Sequence, residues 1–360
     1  MPPISFARGA PSPECLNPGL VSDCAQAVLA RDGLTILSYG AGGGYAPLRE
    51  LLAERHGVEP GRVFVTAGGL QGFSLYSAVQ LARKPGRVLV EGPTYDRPLK
   101  LLGWQGAEVV SLPMDAEGLD LAALEAELLK GGDVSFLYTI PTFQNPSGRT
   151  LGAERRRRLV ELARAHDLDV LEDDPYGLVR YEGEAPPSLH ELDGGERVTF
   201  TSSFSKTVAP GLRVGWFVVT DELRASYDDR AVSTTISPSL LPQAIVYELD
   251  ASGAFEPNLE RIKGLLRARQ SAMLGALERE MPGTVYWSHP EGGYFLWIDL
   301  PEGADAADLQ RRATDAGVTF VKGADFFPAG AGGTAAARLA FSFETPERIT
   351  EGVAILASLL

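Results

Sequence analysis

Seven short runs of branched and aromatic apolar residues recur through the first two thirds of the sequence. They are RVFVTA (62–67), RVLVEG (87–92), AEVVSL (107–112), VSFLYTI (134–140), LDVLED (168–173), RVTFTSS (197–203) and GWFVVT (215–220). Between most of them lie stretches with apolar residues at helical spacing, such as LQGFSLYSAVQLARK and AERRRRLVELARAHD. A strand followed by a helix and another strand is a crossover, and crossovers join parallel strands. The helices then cover both faces of the sheet. The expected fold is therefore α/β: a large domain, residues 35–250, with a mostly parallel seven-stranded sheet covered by helices. After Asp250 the pattern changes to a long helical stretch, then YFLWIDL, a helix around DAADLQRRATDAG, TFVKG, ARLAFSF and a last helix. This predicts a smaller α+β domain over 251–360, with an N-terminal segment, 1–34, packed on it.

Composition narrows the functions open to such a chain. Its 360 residues suffice for a large core and two unequal domains. A net charge of −14 argues against nucleic-acid binding, which wants a basic face. No apolar run is long enough to span a membrane, and MPPISFARGAPSPE lacks the layout of a signal peptide, so a cytoplasmic protein is expected. Cys15 and Cys24 make neither a disulfide framework nor a zinc site. The four histidines, His56, His166, His190 and His289, show no ligand spacing, and no metal is expected. Two Gly-rich patches, YGAGGGY (39–45) and PAGAGGT (328–334), read as loops.

In parallel sheets, ligands sit beyond the carboxyl ends of the strands. The unusual residues of this chain fall there. After VFVTA comes GGLQG (68–72) and a helix, where free N–H groups and the positive end of the helix suit a phosphate. Taken alone, that is more often a plain turn. After VSFLYTI comes PTFQNPSG with Asn145. After DVLED come Asp173 and Tyr176, which alone could be a metal site, a general base or a solvated turn. After VTFTSS comes FSK, where Lys206, one of six lysines, stands among hydroxyls rather than among charges. The set in this order meets the needs of pyridoxal 5′-phosphate. The aldehyde needs an amine, the ring nitrogen a carboxylate, the phenolic oxygen hydrogen-bond donors, and the phosphate hydroxyls, N–H groups and a cation.

The order NPSG, EDDPYG, SFSK and PGLRVGW resembles the fold-type I pyridoxal-phosphate enzymes. More narrowly it is similar to class I/II aminotransferases, in the branch of aspartate and 2-aminoadipate aminotransferases. The resemblance runs from ISFARGAPSPE to RLAFSF. It implies that Lys206 forms the Schiff base and shuttles the proton between Cα and C4′. Asp173 would pair with the ring nitrogen, with its pKa lowered by that opposite charge. Tyr176 and Asn145 would hydrogen-bond the phenolic oxygen, and Tyr95 would stack on the ring. Ser203, Ser205, Arg213 and the N–H groups of Gly69 and Leu70 would hold the phosphate. Tyr39 would reach the phosphate from the neighbouring subunit of a homodimer with a shared active site. Arg338 would grip the substrate α-carboxylate through its planar fork, and the Gly292–Gly293 turn would line the same pocket.

Three departures stand out. The phosphate cradle reads Gly68-Gly69-Leu70 where Gly-Ser-Gln is common in the family. GTAAARL lacks a polar residue often found before the arginine. Arg8 stands where many relatives have glycine, either on the surface or in the pocket, where it would favour a second anionic group on the substrate. The implied reaction is transamination between an L-amino acid and a 2-oxo acid, through an aldimine and a ketimine. The alternatives are elimination or replacement at Cβ or Cγ, and a non-enzymatic regulatory or scaffold protein. With 38 residues ahead of YGAGGG and an acidic charge, a DNA-binding domain is not expected. Side-chain selectivity is expected to depend on the N-terminal segment, the 39–45 loop and residues 233–238.

Overall fold

A computed structural model describes residues 2–328 and 332–360, so part of the 328–334 patch lies outside the described residues. The chain opens on a two-residue strand, β1 (Ile4–Ser5), and a helix, Pro18–Ile36. The strands of the large sheet follow: β2 (Val63–Thr66), β3 (Arg87–Gly92), β4 (Val109–Asp115), β5 (Gly118–Leu119), β6 (Val134–Thr139), β7 (Val170–Asp173), β8 (Val198–Ser203) and β9 (Gly215–Val218). Their order is β2-β9-β8-β7-β6-β3-β4-β5. The seven expected strands are present. The eighth, β5, is a two-residue return antiparallel to β4, too short to carry a periodic signal. Strand β9 is antiparallel to both neighbours, and the five central strands are parallel.

Alternation along each strand divides the core. Val88, Val90, Phe136, Tyr138 and Leu171 pack under the helix Gly69–Arg83, against Phe73 and Tyr76. Leu89, Leu137 and Val170 pack on the other face against Leu159 and Leu162 of the helix Ala153–Ala165. Apolar burial on both faces is what makes these strands read as continuous apolar runs.

The C-terminal part holds the 26-residue helix Phe255–Glu280 and five short strands, β10 (Tyr286–Trp287), β11 (Phe295–Asp299), β12 (Val318–Thr319), β13 (Val321–Lys322) and β14 (Ala336–Ala340). Four form an antiparallel sheet, β10-β11-β14-β13, while β12 pairs with β1. The N-terminal segment divides its contacts. Ile4 pairs with Val318, and the carbonyl of Phe6 accepts from the N–H of Ala340 at 2.8 Å. The helix Pro18–Ile36 instead runs along the helix Leu240–Ala251, against the expectation that the whole segment packs on the smaller domain. Cys24, Val28 and Ile36 join Ala244, Ile245 and Leu249 in one buried cluster, and Arg31 bridges to Glu248 at 2.5 Å. The helix lies where its apolar stripe finds cover.

Phe6 is fully buried and its backbone ties the first strand to the last. Phe6→Ala is expected to lower unfolding stability by about 3–5 kcal/mol in urea denaturation, through lost burial and the cavity left behind.

Candidate active site

The loops leaving β2, β3, β6, β7 and β8, and the turn entering β9, open on one edge of the large sheet. Chain order reverses there between β3 and β6, the kind of switch point where open α/β sheets bind ligands. A cavity of about 370 Å³ sits at this edge. Of the fifteen residues expected at the site, eleven line it: Gly69, Leu70, Tyr95, Asn145, Asp173, Tyr176, Ser203, Ser205, Lys206, Arg213 and Arg338. A larger cleft, about 780 Å³, lies between the loops around Arg149, Arg180 and His289, and none of the fifteen reaches it. Volume alone would select the wrong place; the chemistry selects the smaller cavity.

One end of the cavity is built for an anion. The helix Gly69–Arg83 starts after Gly68 with no side-chain cap, and first-turn N–H groups have no partner inside a helix. Gly68 has φ +87°, and a Cβ there would stand 2.2 Å from Nη2 of Arg213, so a side chain would both strain the backbone and displace the guanidinium. Arg213 itself takes the left-handed conformation (φ 52°), a strain that aims its fork at Ser205 Oγ (3.4 Å) and the Ala67 carbonyl (3.1 Å). Ser203 Oγ donates to Ser205 Oγ at 2.8 Å. With glycine at position 69 the cradle has no hydroxyl of its own, which leaves the N–H groups, two serines and one arginine for this task.

The centre holds the titrating groups. Lys206 follows β8, and its Nζ donates to the carbonyl of Gly9 at 2.8 Å. Burial pulls this amine down to about 8, helped by the positive charges of Arg338 and Arg213 and opposed by Asp173. A lysine so placed keeps a larger neutral, nucleophilic fraction near neutrality. Asp173 ends β7. Among the protein's own groups, burial pushes it up to about 7, with Asp174 and Glu91 adding, because desolvation outweighs the Tyr138 hydrogen bond and the pull of Lys206; the expected lowering is what a paired ring cation would add. Tyr176 and Asn145 are buried beside it. Arg338 lies on β14, opposite Trp297 and Val321. Its Nη1 donates to Asn145 Oδ1 and its Nη2 to the Ala7 carbonyl, both at 2.9 Å, while its buried Nε has no partner among the described residues. Burial lowers its pKa to about 10.

Four expected residues stand outside. Arg8 is exposed, with its guanidinium 4.3 Å from the Phe343 ring centroid, so the surface alternative is the one observed. Tyr39 is 85% exposed and does not enter the cavity of its own chain. Gly292 and Gly293 do not line the cavity either. They pack against Phe143, whose ring would lie 2.4 Å from a Cβ on Gly292. The 39–45 loop and residues 233–238 touch each other, through the Gly40 N–H on Ser237 Oγ.

Other contributors carried no sequence signal. Tyr294 Oη donates to the Lys206 carbonyl at 2.9 Å, and the Phe295 ring lies 4.2 Å from the Arg338 guanidinium. Both sit in YFLWIDL, which reads as an ordinary core strand. Tyr138 Oη donates to Asp173 Oδ2 at 2.7 Å. A buried tyrosine hydroxyl does need a partner, and that was the one available hint.

A depressed amine, a buried carboxylate and an anion cradle, at three points of one cavity, are the donor set of a pyridoxal-phosphate enzyme. The chain belongs to the aminotransferase class I and II family, whose sequence profile matches residues 4–356. It is a pyridoxal 5′-phosphate-dependent transferase that moves amino groups between amino acids and 2-oxo acids. It is 39% identical to a 2-aminoadipate transaminase of Thermus thermophilus, over 99% of this chain and 90% of the relative. It is 35% identical to an aromatic-amino-acid aminotransferase of Thermococcus litoralis, over 99% and 88%. Among solved structures, a kynurenine aminotransferase of Pyrococcus horikoshii superposes with a TM-score of 0.95 at 34% identity, covering 100% of this chain and 91% of that one. An α-aminoadipate aminotransferase of Thermus thermophilus, solved with N-(5′-phosphopyridoxyl)-L-leucine, gives 0.93 at 38%, covering 99% and 92%. Among the described residues no helix is long and apolar enough to cross a membrane.

The raised Asp173 has a sign that can be checked. The unfolded carboxyl ionises near 4 and the folded one near 7, so the folded protein loses stability as pH rises between them. Asp173→Asn is expected to stabilise the protein stripped of cofactor, by a margin that grows by about 2 kcal/mol from pH 5 to pH 7 in denaturant titrations.

Proposed function

We propose that the cavity at the carboxyl edge of the large sheet is the transamination site and that the eleven lining residues divide its work. The observation that carries this is Lys206: a half-buried amine with a lowered pKa, aligned on a neighbouring carbonyl and within the field of the half-buried carboxylate of Asp173. Bound pyridoxal 5′-phosphate supplies a ring that takes up the negative charge developing at the substrate Cα.

Lys206 would hold the cofactor through its amine, and that amine, once free, would take the substrate Cα proton and hand it back at the cofactor's C4′. Asp173 would pair with the ring nitrogen, whose positive charge would offset the cost of burying the carboxylate. Asn145 and Tyr176 would donate to the phenolic oxygen, and Tyr95 would pack against the ring. Gly69, Leu70, Ser203, Ser205 and Arg213 would hold the phosphate. Arg338 binds the substrate α-carboxylate through its fork; its partnerless Nε and its uncharged present acceptors support that role. Arg8 has no part in this reading, because Phe343 engages it at the surface.

The reading includes a homodimer in which the partner subunit's Tyr39 completes the phosphate site, and a cytoplasmic location. Leu34 (91% exposed), Leu37, Tyr39 and Ile236 form apolar surface around the 39–45 loop, where a second copy would cover them. The division into 1–34, 35–250 and 251–360 is part of the same reading.

Purified protein with pyridoxal phosphate is expected to show a visible absorbance band that the Lys206→Ala protein lacks. Adding a productive amino donor should bleach it and release one 2-oxo acid per site. A band that persists without 2-oxo acid release would sink transamination. For the dimer, Leu34→Asp with Leu37→Asp should yield monomers in sedimentation that bind the cofactor at least about tenfold more weakly, as expected when a phosphate contact is lost; a tight-binding monomer would refute the shared site.

A further inference from the structure

We propose that Tyr138 is a positioning residue for Asp173, fixing its carboxylate for the cofactor ring nitrogen and holding it in the ionised form. This rests on the cofactor-site reading above and adds to it a residue outside the eleven.

The geometry is specific. Tyr138 lies on β6 and Asp173 at the end of the adjacent parallel strand β7, where Tyr138 pairs with Leu171. The side chains of Leu171 and Asp173 share a face, by the period of a strand. Tyr138 Oη donates to Oδ2 at 2.7 Å. Among the described residues, Oδ1 receives no hydrogen bond, so one carboxylate oxygen is committed and the other remains for a ligand. The Tyr138 ring is itself fixed. It is fully buried and meets Phe73, which also lines the cavity, edge to face at 5.1 Å. A carboxylate can rotate about its last bond, and a single strong hydrogen bond from a locked donor stops that rotation.

The charge balance gives the hydrogen bond a second task. Asp173 faces Glu91 from β3, Asp174 on its own strand's extension, the phenols of Tyr95 and Tyr176, and Lys206 from the loop after β8. Lys206 is the one cation in that set, and burial already pushes the carboxyl up to about 7. A hydrogen bond to the charged form favours that form. Removing Oη leaves Oδ2 buried without a donor and raises the carboxyl further.

The two tasks separate this role from plain core packing. Tyr138→Phe keeps the ring and its contact with Phe73. Pyridoxal phosphate is titrated into stripped wild type and variant at pH 6.5 and pH 8.5, with affinity read from visible absorbance. A one-unit rise in the carboxyl corresponds to about a tenfold loss of affinity at pH 6.5, where the ionised fraction falls in proportion, and to less than about twofold at pH 8.5, where both proteins are ionised. The cofactor's own titration is common to both proteins and cancels in the ratio. Tyr76→Phe is the control: Tyr76 is equally buried, but its hydroxyl partners Gln80. Its affinity ratio should be the same at both pH values. If Tyr138→Phe shows equal ratios at pH 6.5 and pH 8.5, the proposal is overturned while the cofactor site stands. If wild type itself fails to develop the absorbance band, the cofactor site falls and the proposal with it.

Discussion

The structure depends on desolvation at one edge of its sheet. Lys206, Asp173 and Arg338 share a cavity that removes them from water, and each is moved off its ordinary pKa in the direction burial dictates. Asp173 ends β7, Lys206 follows β8 and Arg338 lies within β14, so three separate elements of the fold fix their positions. The fold thus stores an unfavourable charge arrangement that a charged, anion-bearing cofactor relieves. Sites that bind tightly are often destabilised in this way before they are filled.

The anion end and the amine end are held by different means. At the anion end the backbone does most of the work: an uncapped helix start, a glycine with φ +87° and a left-handed Arg213. These need few side-chain functions, which explains how the cradle tolerates glycine at position 69, where serine is common in the family. At the amine end the contacts come from distant segments. The carbonyls of Ala7 and Gly9 accept from Arg338 and Lys206, so an irregular N-terminal stretch sets the separation between the two cations.

Much of this was legible in the sequence. Strand ends were readable because buried parallel strands are apolar throughout, and the residues that break that pattern, Asp173, Asn145 and Lys206, fall where the sheet cannot use them. The family resemblance supplied Arg338 and Tyr95, which no local pattern separates from an ordinary strand arginine and an ordinary loop tyrosine. What stayed hidden has physical reasons. Main-chain acceptors such as Gly9 leave no trace in residue type. Tyr138 looks like core because most of it is core. Arg8 could be placed only once Phe343 was seen beside it. The pKa direction of Asp173 depends on how much water reaches it, which no spacing rule reports.

The pairing of Ile4 with Val318 has a consequence for synthesis. Because this strand docks beside residues more than three hundred positions later, its segment of the nascent polypeptide must wait for all of the intervening residues to be made before its partner exists. Until then Ile4 and Phe6 are uncovered, and the acceptors that align Lys206 and Arg338 are not in place. Capture of vitamin B6 in its working geometry is therefore a late event in the life of each new chain.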